Sequence, residues 1–155
     1  MSLNLRDTYD QLYRYCFFRL RSREASQDTV QEAFLRYIER YGPLGDGALP
    51  LLYTIARNLC IDYFRSEKGN MLPLEETEVS EEEESLLDQL IIKRALSRIP
   101  QEEAEILLLV MVNGLPMKDV GRILGLSRFA VYRRLQAGKK HFQGELLKEG
   151  LGDVW

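Results

Sequence analysis

Met117-Lys118-Asp119-Val120-Gly121-Arg122-Ile123-Leu124-Gly125-Leu126-Ser127-Arg128-Phe129-Ala130-Val131-Tyr132-Arg133-Arg134-Leu135-Gln136 is the stretch that decides the fold. Its spacing predicts two short helices, Met117 to Leu124 and Arg128 to about Phe142, parted by Gly125-Leu126-Ser127. A break of that size between two helices is a helix-turn-helix. Gly125 supplies the positive φ that the turn needs, and the Ser127 hydroxyl suits the N-cap of the second helix. Val120, Leu124, Leu126, Val131 and Leu135 are the expected packing between the helices, and Phe129 is either a core plug or an exposed contact, with the core favoured. That commitment leaves Arg128, Tyr132, Arg133, Gln136 and Lys139 facing outward, where long polar groups reach base edges and phosphates. They are the candidate DNA-reading residues.

Charge along the chain agrees with this placement. The formal net charge of −3 over 155 residues argues against a nucleic-acid partner only as a total. Residues 1–70 hold 10 basic and 9 acidic side chains, residues 71–90 hold none and 8, and residues 91–155 hold 11 and 7. Between Lys118 and Lys140 there are seven basic residues and one acid, Asp119, which creates a local positive field.

Outward from the motif the chain reads as helices throughout. Upstream, apolar periodicity runs through Leu86, Leu87, Leu90, Ile91 and Ala95 and ends near Ile99-Pro100. It restarts at Gln101-Glu102-Glu103 and continues through Ile106, Leu107, Val110 and Met111 to a stop at Asn113-Gly114. Met71 to Ser85 contains Pro73, seven glutamates and no basic residue, the composition of a flexible acidic linker. Before it, three stripes recur at three- and four-residue spacing. The first is Tyr9, Leu12, Tyr13, Cys16, Phe17 and Leu20; the second is Val30, Ala33, Phe34, Tyr37, Ile38 and Tyr41, with Ser22 as N-cap and Gly42-Pro43 as stop. The third is Leu52, Ile55, Ala56, Leu59 and Tyr63, with Pro50 in the first turn. The expected fold is all-α: two small helical domains over 1–70 and 88–148, joined by the acidic linker 71–87 and followed by a tail, 149–155.

Several classes are set aside by composition. A hydrophobic content of 45% with 29% charged residues is that of a globular chain. The start Met1-Ser2-Leu3-Asn4-Leu5-Arg6 has no signal-peptide pattern, and the longest aliphatic run, Ile106 to Val112, is too short for a bilayer. A soluble, cytoplasmic protein without membrane insertion is expected. Cys16, Cys60 and His141 lie too far apart in sequence for a zinc motif, so buried thiols and no metal or cofactor are expected. The loop Gly42 to Leu49 lacks the Gly-Lys-Ser/Thr ending of a phosphate-binding loop. The dense carboxylates fall in the linker and not on a scaffold, which gives no catalytic site.

Ile99-Pro100-Gln101-Glu102-Glu103-Ala104-Glu105-Ile106-Leu107, Asn113-Gly114-Leu115-Pro116-Met117-Lys118-Asp119-Val120 and Ile123-Leu124-Gly125-Leu126-Ser127 together resemble the C-terminal, promoter-reading domain of extracytoplasmic-function sigma factors. A second resemblance to the same family lies upstream. Asp28-Thr29-Val30-Gln31-Glu32-Ala33-Phe34-Leu35 is similar to its polymerase-binding helix, and Leu51 through Arg65 to the next helix, which engages the melted upstream element. The two matches keep the family's order and cover roughly 8–68 and 88–146.

The resemblance implies a non-enzymatic factor that binds core RNA polymerase and directs promoter-specific initiation. It implies that Asp28, Gln31 and Glu32 dock on the β-prime clamp helices, and that the C-terminal domain contacts the β flap. Arg57, Asn58, Asp62 and Arg65, on a polar face with Thr54 and Ile61, would engage the minus-ten element together with the Gly42–Leu49 loop. Arg128, Tyr132, Arg133, Gln136 and Lys139 would read the minus-thirty-five element. An anti-sigma factor is an expected partner, and the linker is expected to thread toward the polymerase cleft. Two departures stand out. Gly121 replaces the usual alanine, at about 1 kcal/mol in helix propensity. Arg128-Phe129-Ala130 replaces a smaller start of the second helix. The alternative reading is a helix-turn-helix activator that binds its operator without replacing the sigma subunit.

Overall fold

The structure, a computed structural model, describes residues 4–66 and 83–150. The chain divides into two compact units, one ending and the other beginning at residues 78 and 79. All regular structure among the described residues is helical.

The first unit is a three-helix bundle: α1 Leu5–Leu20, α2 Arg23–Tyr41 and α3 Ala48–Arg65. Local chemistry sets each boundary. Asn4 caps α1 by accepting from the Asp7 amide at 3.1 Å. Arg21 takes the left-handed conformation at φ 59°, and the Ser22 hydroxyl accepts from the Ala25 amide at 3.1 Å to start α2. Two residues therefore suffice to turn the chain back on itself. Gly42, at φ 87°, ends α2. The loop leading into α3 is shorter than the expected Gly42–Leu49, because Ala48 and Leu49 already belong to the helix.

The core of this unit consists of Leu12, Tyr15, Cys16, Leu20, Val30, Ala33, Leu52, Tyr53, Ala56 and Cys60, all without solvent exposure. The sequence periodicity placed its centre correctly and its edges less well. Tyr9, Tyr13, Phe17, Phe34, Ile55, Leu59 and Tyr63 are only half-buried, and Ile38 and Tyr41 are exposed. The stripes were drawn too wide because a three-helix bundle closes over a narrow seam. Tyr15 and Tyr53, absent from the stripes, meet edge to face with ring centroids 5.6 Å apart. Arg19 donates to the Tyr15 hydroxyl at 2.9 Å, so the phenol is buried with its polar tip satisfied.

In the second unit, α4 Glu83–Ser97, α5 Gln101–Leu107, α6 Met117–Leu124 and α7 Arg128–Lys148 follow in order, with a π-helical turn, Leu108–Val112, continuing α5. Helix α4 begins inside the stretch expected as linker; the remainder of that stretch, with the flexibility expected of it, lies outside the described residues. The π turn is the feature that periodicity missed. The Asn113 amide donates five residues back to Leu108 at 2.9 Å, which widens the helix. As a result Ile106, Leu107, Leu108 and Leu109 are all buried, whereas Val110 is half-buried and Met111 exposed. Four consecutive apolar side chains can be covered only where the segment has packing on more than one side.

Helix α7 runs past the expected end near Phe142 to Lys148, burying Val131, Leu135, Gly138, Phe142 and Leu146. Gly138 permits its close approach to α5, since a Cβ there would lie 3.2 Å from the Glu103 Cβ. At its far end Glu149 accepts from Arg94 at 3.0 Å and from Arg98 at 2.9 Å, tying α4 to the end of α7. The hydrogen bond from Arg94 holds the Glu149 carboxyl below the usual carboxylate range. His141 Nδ1 lies 2.7 Å from Glu103 Oε1, a second link between α5 and α7.

Candidate nucleic-acid interface

The helix-turn-helix is formed by α6 and α7. Gly125 ends α6 at φ 71°, and the Ser127 hydroxyl accepts from the Ala130 amide at 3.0 Å to start α7, as the turn residues suggested. Val120, Ile123, Val131 and Leu135 are buried between the helices, while Leu124 and Leu126 are half-buried.

Gly121 has a different meaning from the one its helix propensity suggested. A Cβ at this position would stand 2.7 Å from the Leu126 backbone oxygen, and the Leu126 amide bonds back to the Gly121 oxygen at 2.9 Å. The turn folds directly over α6, and glycine is the residue that leaves room for it.

On the outer face of α7, Arg128, Tyr132, Arg133 and Gln136 are exposed as expected, whereas Lys139 is half-buried and Lys140 is exposed. Phe129 is 69% exposed and does not enter the core. It stands one turn before Arg133, whose guanidinium carbon lies 5.2 Å from the ring centroid. Phe129, Tyr132, Arg133, Gln136 and Lys140 therefore form one outward stripe. The i, i+3, i+4, i+7 spacing was visible in the sequence, but an aromatic residue at such spacing is usually core, and that expectation misplaced Phe129. Beside the stripe, an open groove of about 360 Å³ is lined by Met117, Lys118, Gly121, Arg122, Leu126 and Arg128. Three cations around a concave surface at the turn can accept phosphate.

The other candidates lie in the first unit. On α3, Asn58, Asp62 and Arg65 are exposed and Arg57 is half-buried, all on one side of the helix. Thr54 and Ile61, on the same side, are half-buried, and the Thr54 hydroxyl donates back to the Pro50 carbonyl at 2.9 Å. On α2, Asp28 and Gln31 are exposed, and Glu32 pairs with Arg36 at 2.9 Å. Leu35 and Ile38 continue the Gln31 face by four and seven residues and are 58% and 50% exposed. An apolar extension of that polar face was missed, because Ile38 was assigned to the core.

Cys16 and Cys60 are both buried, and their side chains hydrogen-bond to each other across α1 and α3. That bond, followed by burial, pushes the Cys16 thiol far up from its ordinary value. Among the described residues no helix is long and apolar enough to cross a membrane.

Residues 5–69 match sigma-70 region 2 and residues 89–142 match sigma-70 region 4. The ECF RNA polymerase sigma factor BldN of Streptomyces coelicolor is 31% identical over 140 residues, spanning 82% of this chain and 53% of BldN. The probable RNA polymerase sigma factor RfaY of Xanthomonas campestris is 34% identical over 144 residues, 80% of this chain and 34% of RfaY. The chain thus spans about half, and about a third, of these two relatives. SigX of Bacillus subtilis, an ECF RNA polymerase sigma factor, is 25% identical over 169 residues, 96% of this chain and 86% of SigX. Among solved structures, the sigma factor RpoE of Bartonella quintana, in complex with the anti-sigma factor NepR, has the same fold. Its TM-score is 0.71 at 20% identity, covering 91% of this chain and 92% of that one. The chain belongs to the extracytoplasmic-function family of RNA polymerase sigma factors, with region 2 in its three-helix bundle and region 4 around its helix-turn-helix.

Proposed function

We propose that this chain binds core RNA polymerase and directs it to a specific set of promoters, acting as an initiation factor and not as an enzyme. The observation that carries the reading is the joint presence, in the sigma order, of a region 2 bundle and a region 4 helix-turn-helix with a basic outer face. A DNA-binding activator that works beside another sigma subunit has no use for the first of these.

In this reading the first domain, 1–70, docks through α2. Asp28, Gln31 and Glu32 meet basic and amide groups on the β-prime clamp helices, and exposed Leu35 and Ile38 supply the apolar part of the contact. Arg57, Asn58, Asp62 and Arg65 on α3 face the minus-ten element once the duplex opens, where cations hold phosphates and an amide meets an unpaired base. The second domain, 88–148, reads the minus-thirty-five element through Arg128, Tyr132, Arg133, Gln136 and Lys139 and contacts the β flap. The acidic stretch 71–87 runs toward the polymerase cleft. The protein is cytoplasmic, and its inhibitor is an anti-sigma factor.

Reconstitution tests the reading. The full chain with core enzyme is expected to yield transcripts with defined starts from a subset of fragments of a genomic library. Absence of any promoter-directed transcript, with core enzyme active when given another sigma factor, would overturn it.

A further inference from the structure

Phe129 is the most exposed large apolar side chain among the described residues. It occupies the second position of α7, and the N-terminal residues of a recognition helix are those that reach base edges. An uncovered phenyl ring in a segment with seven basic residues and one acid between Lys118 and Lys140 calls for a partner that is both polyanionic and locally apolar. Duplex DNA meets both conditions in its major groove, where the thymine C5-methyl is the apolar group on a base edge. Arg133 lies over the ring at 5.2 Å, so one face of its guanidinium is occupied while its in-plane donors remain free. Such an edge matches the O6 and N7 acceptors of guanine.

We propose that Phe129 is a specificity-determining residue of the DNA interface. Its ring packs on a thymine methyl and positions the Arg133 guanidinium against a guanine. The separation of 5.2 Å is between one and two base steps of roughly 3.4 Å, so the element contains a guanine with a thymine within about two base pairs. The inference rests on the promoter-reading role proposed above and goes further, naming the base chemistry that is read.

The test uses the full chain with core RNA polymerase to enrich duplexes from DNA randomised upstream of the start site. The enriched element is then bound with deoxyuridine in place of thymine, or 7-deazaguanine in place of guanine, by wild type, Phe129→Ala and Phe129→Leu. Loss of the methyl is expected to weaken wild type about fourfold, the worth of one buried methyl group. Phe129→Ala is expected to be insensitive to it. Phe129→Leu, which keeps apolar bulk and loses the ring, is expected to stay sensitive to deoxyuridine and to lose sensitivity to 7-deazaguanine. An element without a thymine within two base pairs of a guanine overturns the proposal, as does an equal deoxyuridine effect in wild type and Phe129→Ala, or none in either. Either result leaves the sigma-factor reading standing. Failure to enrich any element overturns both.

Discussion

Arg133 and Gln136 are exposed on the outer side of α7, with the Phe129 ring against one face of the Arg133 guanidinium, so in the proposed reading their truncation removes mainly contacts to DNA. Substituting both with alanine is expected to lower promoter selection by about 30-fold or more, at roughly 1–3 kcal/mol for each of the two lost bidentate contacts, and to leave core binding intact. Competitive run-off transcription and a pull-down with core enzyme measure the two separately. Equal loss in both would contradict the division of roles. Cys16 and Cys60 are at the opposite extreme. Burial keeps reagents away from both thiols, and for Cys16 the interaction with Cys60, followed by burial, also works against the thiolate, the reactive species. Neither thiol is expected to take up a maleimide at neutral pH in the native protein within minutes, while both react in urea; mass spectrometry reads the outcome. The sequence indicated that these cysteines were buried but not that they touch, because contact between α1 and α3 depends on the crossing of two helices.

At the scale of the element, Gly121 in α6 sets two effects against each other. Alanine would gain about 1 kcal/mol in helix propensity. It would also put a Cβ 2.7 Å from the Leu126 oxygen, a backbone atom that moves only if the turn moves. The clash is expected to win, so Gly121→Ala should lower the unfolding temperature of the protein; an increase would show that the turn yields easily. For α2, alanine at both Gln31 and Glu32 is expected to weaken core binding at least tenfold without altering the circular dichroism spectrum, since neither side chain is buried in the bundle. Loss of helicity would mean that Glu32, paired with Arg36, supports the helix and not a partner. Helix identities and most boundaries were legible because caps act locally, as at Ser22, Ser127 and Gly125. The π turn at Leu108–Val112 was not, because nothing in Leu-Leu-Val-Met-Val distinguishes five residues per hydrogen-bonded turn from four.

For the molecule as a whole, the charge map matters more than the total. Replacing the five glutamates from Glu75 to Glu82 with glutamine moves the formal net charge from −3 to +2 and leaves every described helix unaltered in sequence. Non-specific DNA binding by the free protein is expected to strengthen at low salt, with the difference from wild type fading as salt rises. Electrophoretic mobility or fluorescence anisotropy across a salt series measures it. An unchanged affinity at low salt would mean that the acidic stretch does not shield the basic domain. The same map explains why the sequence resolved two units: the run of eight acids without a base separates two segments that each carry a full set of apolar stripes.

By itself the sequence determined the helical class, the division into two units, the helix-turn-helix with its caps, and the positions of the polar faces on α2, α3 and α7. Each of these depends on residues within a turn or two of one another, where periodicity and capping chemistry act. Tertiary structure decided which members of each apolar stripe are covered. It exposed Ile38 and Phe129 that the stripes had counted as core, and buried Tyr15, Tyr53, Leu108 and Leu109 that they had omitted. The reason is geometric: periodicity gives the direction in which a side chain points, and only the packing of neighbouring helices determines whether anything lies there to meet it.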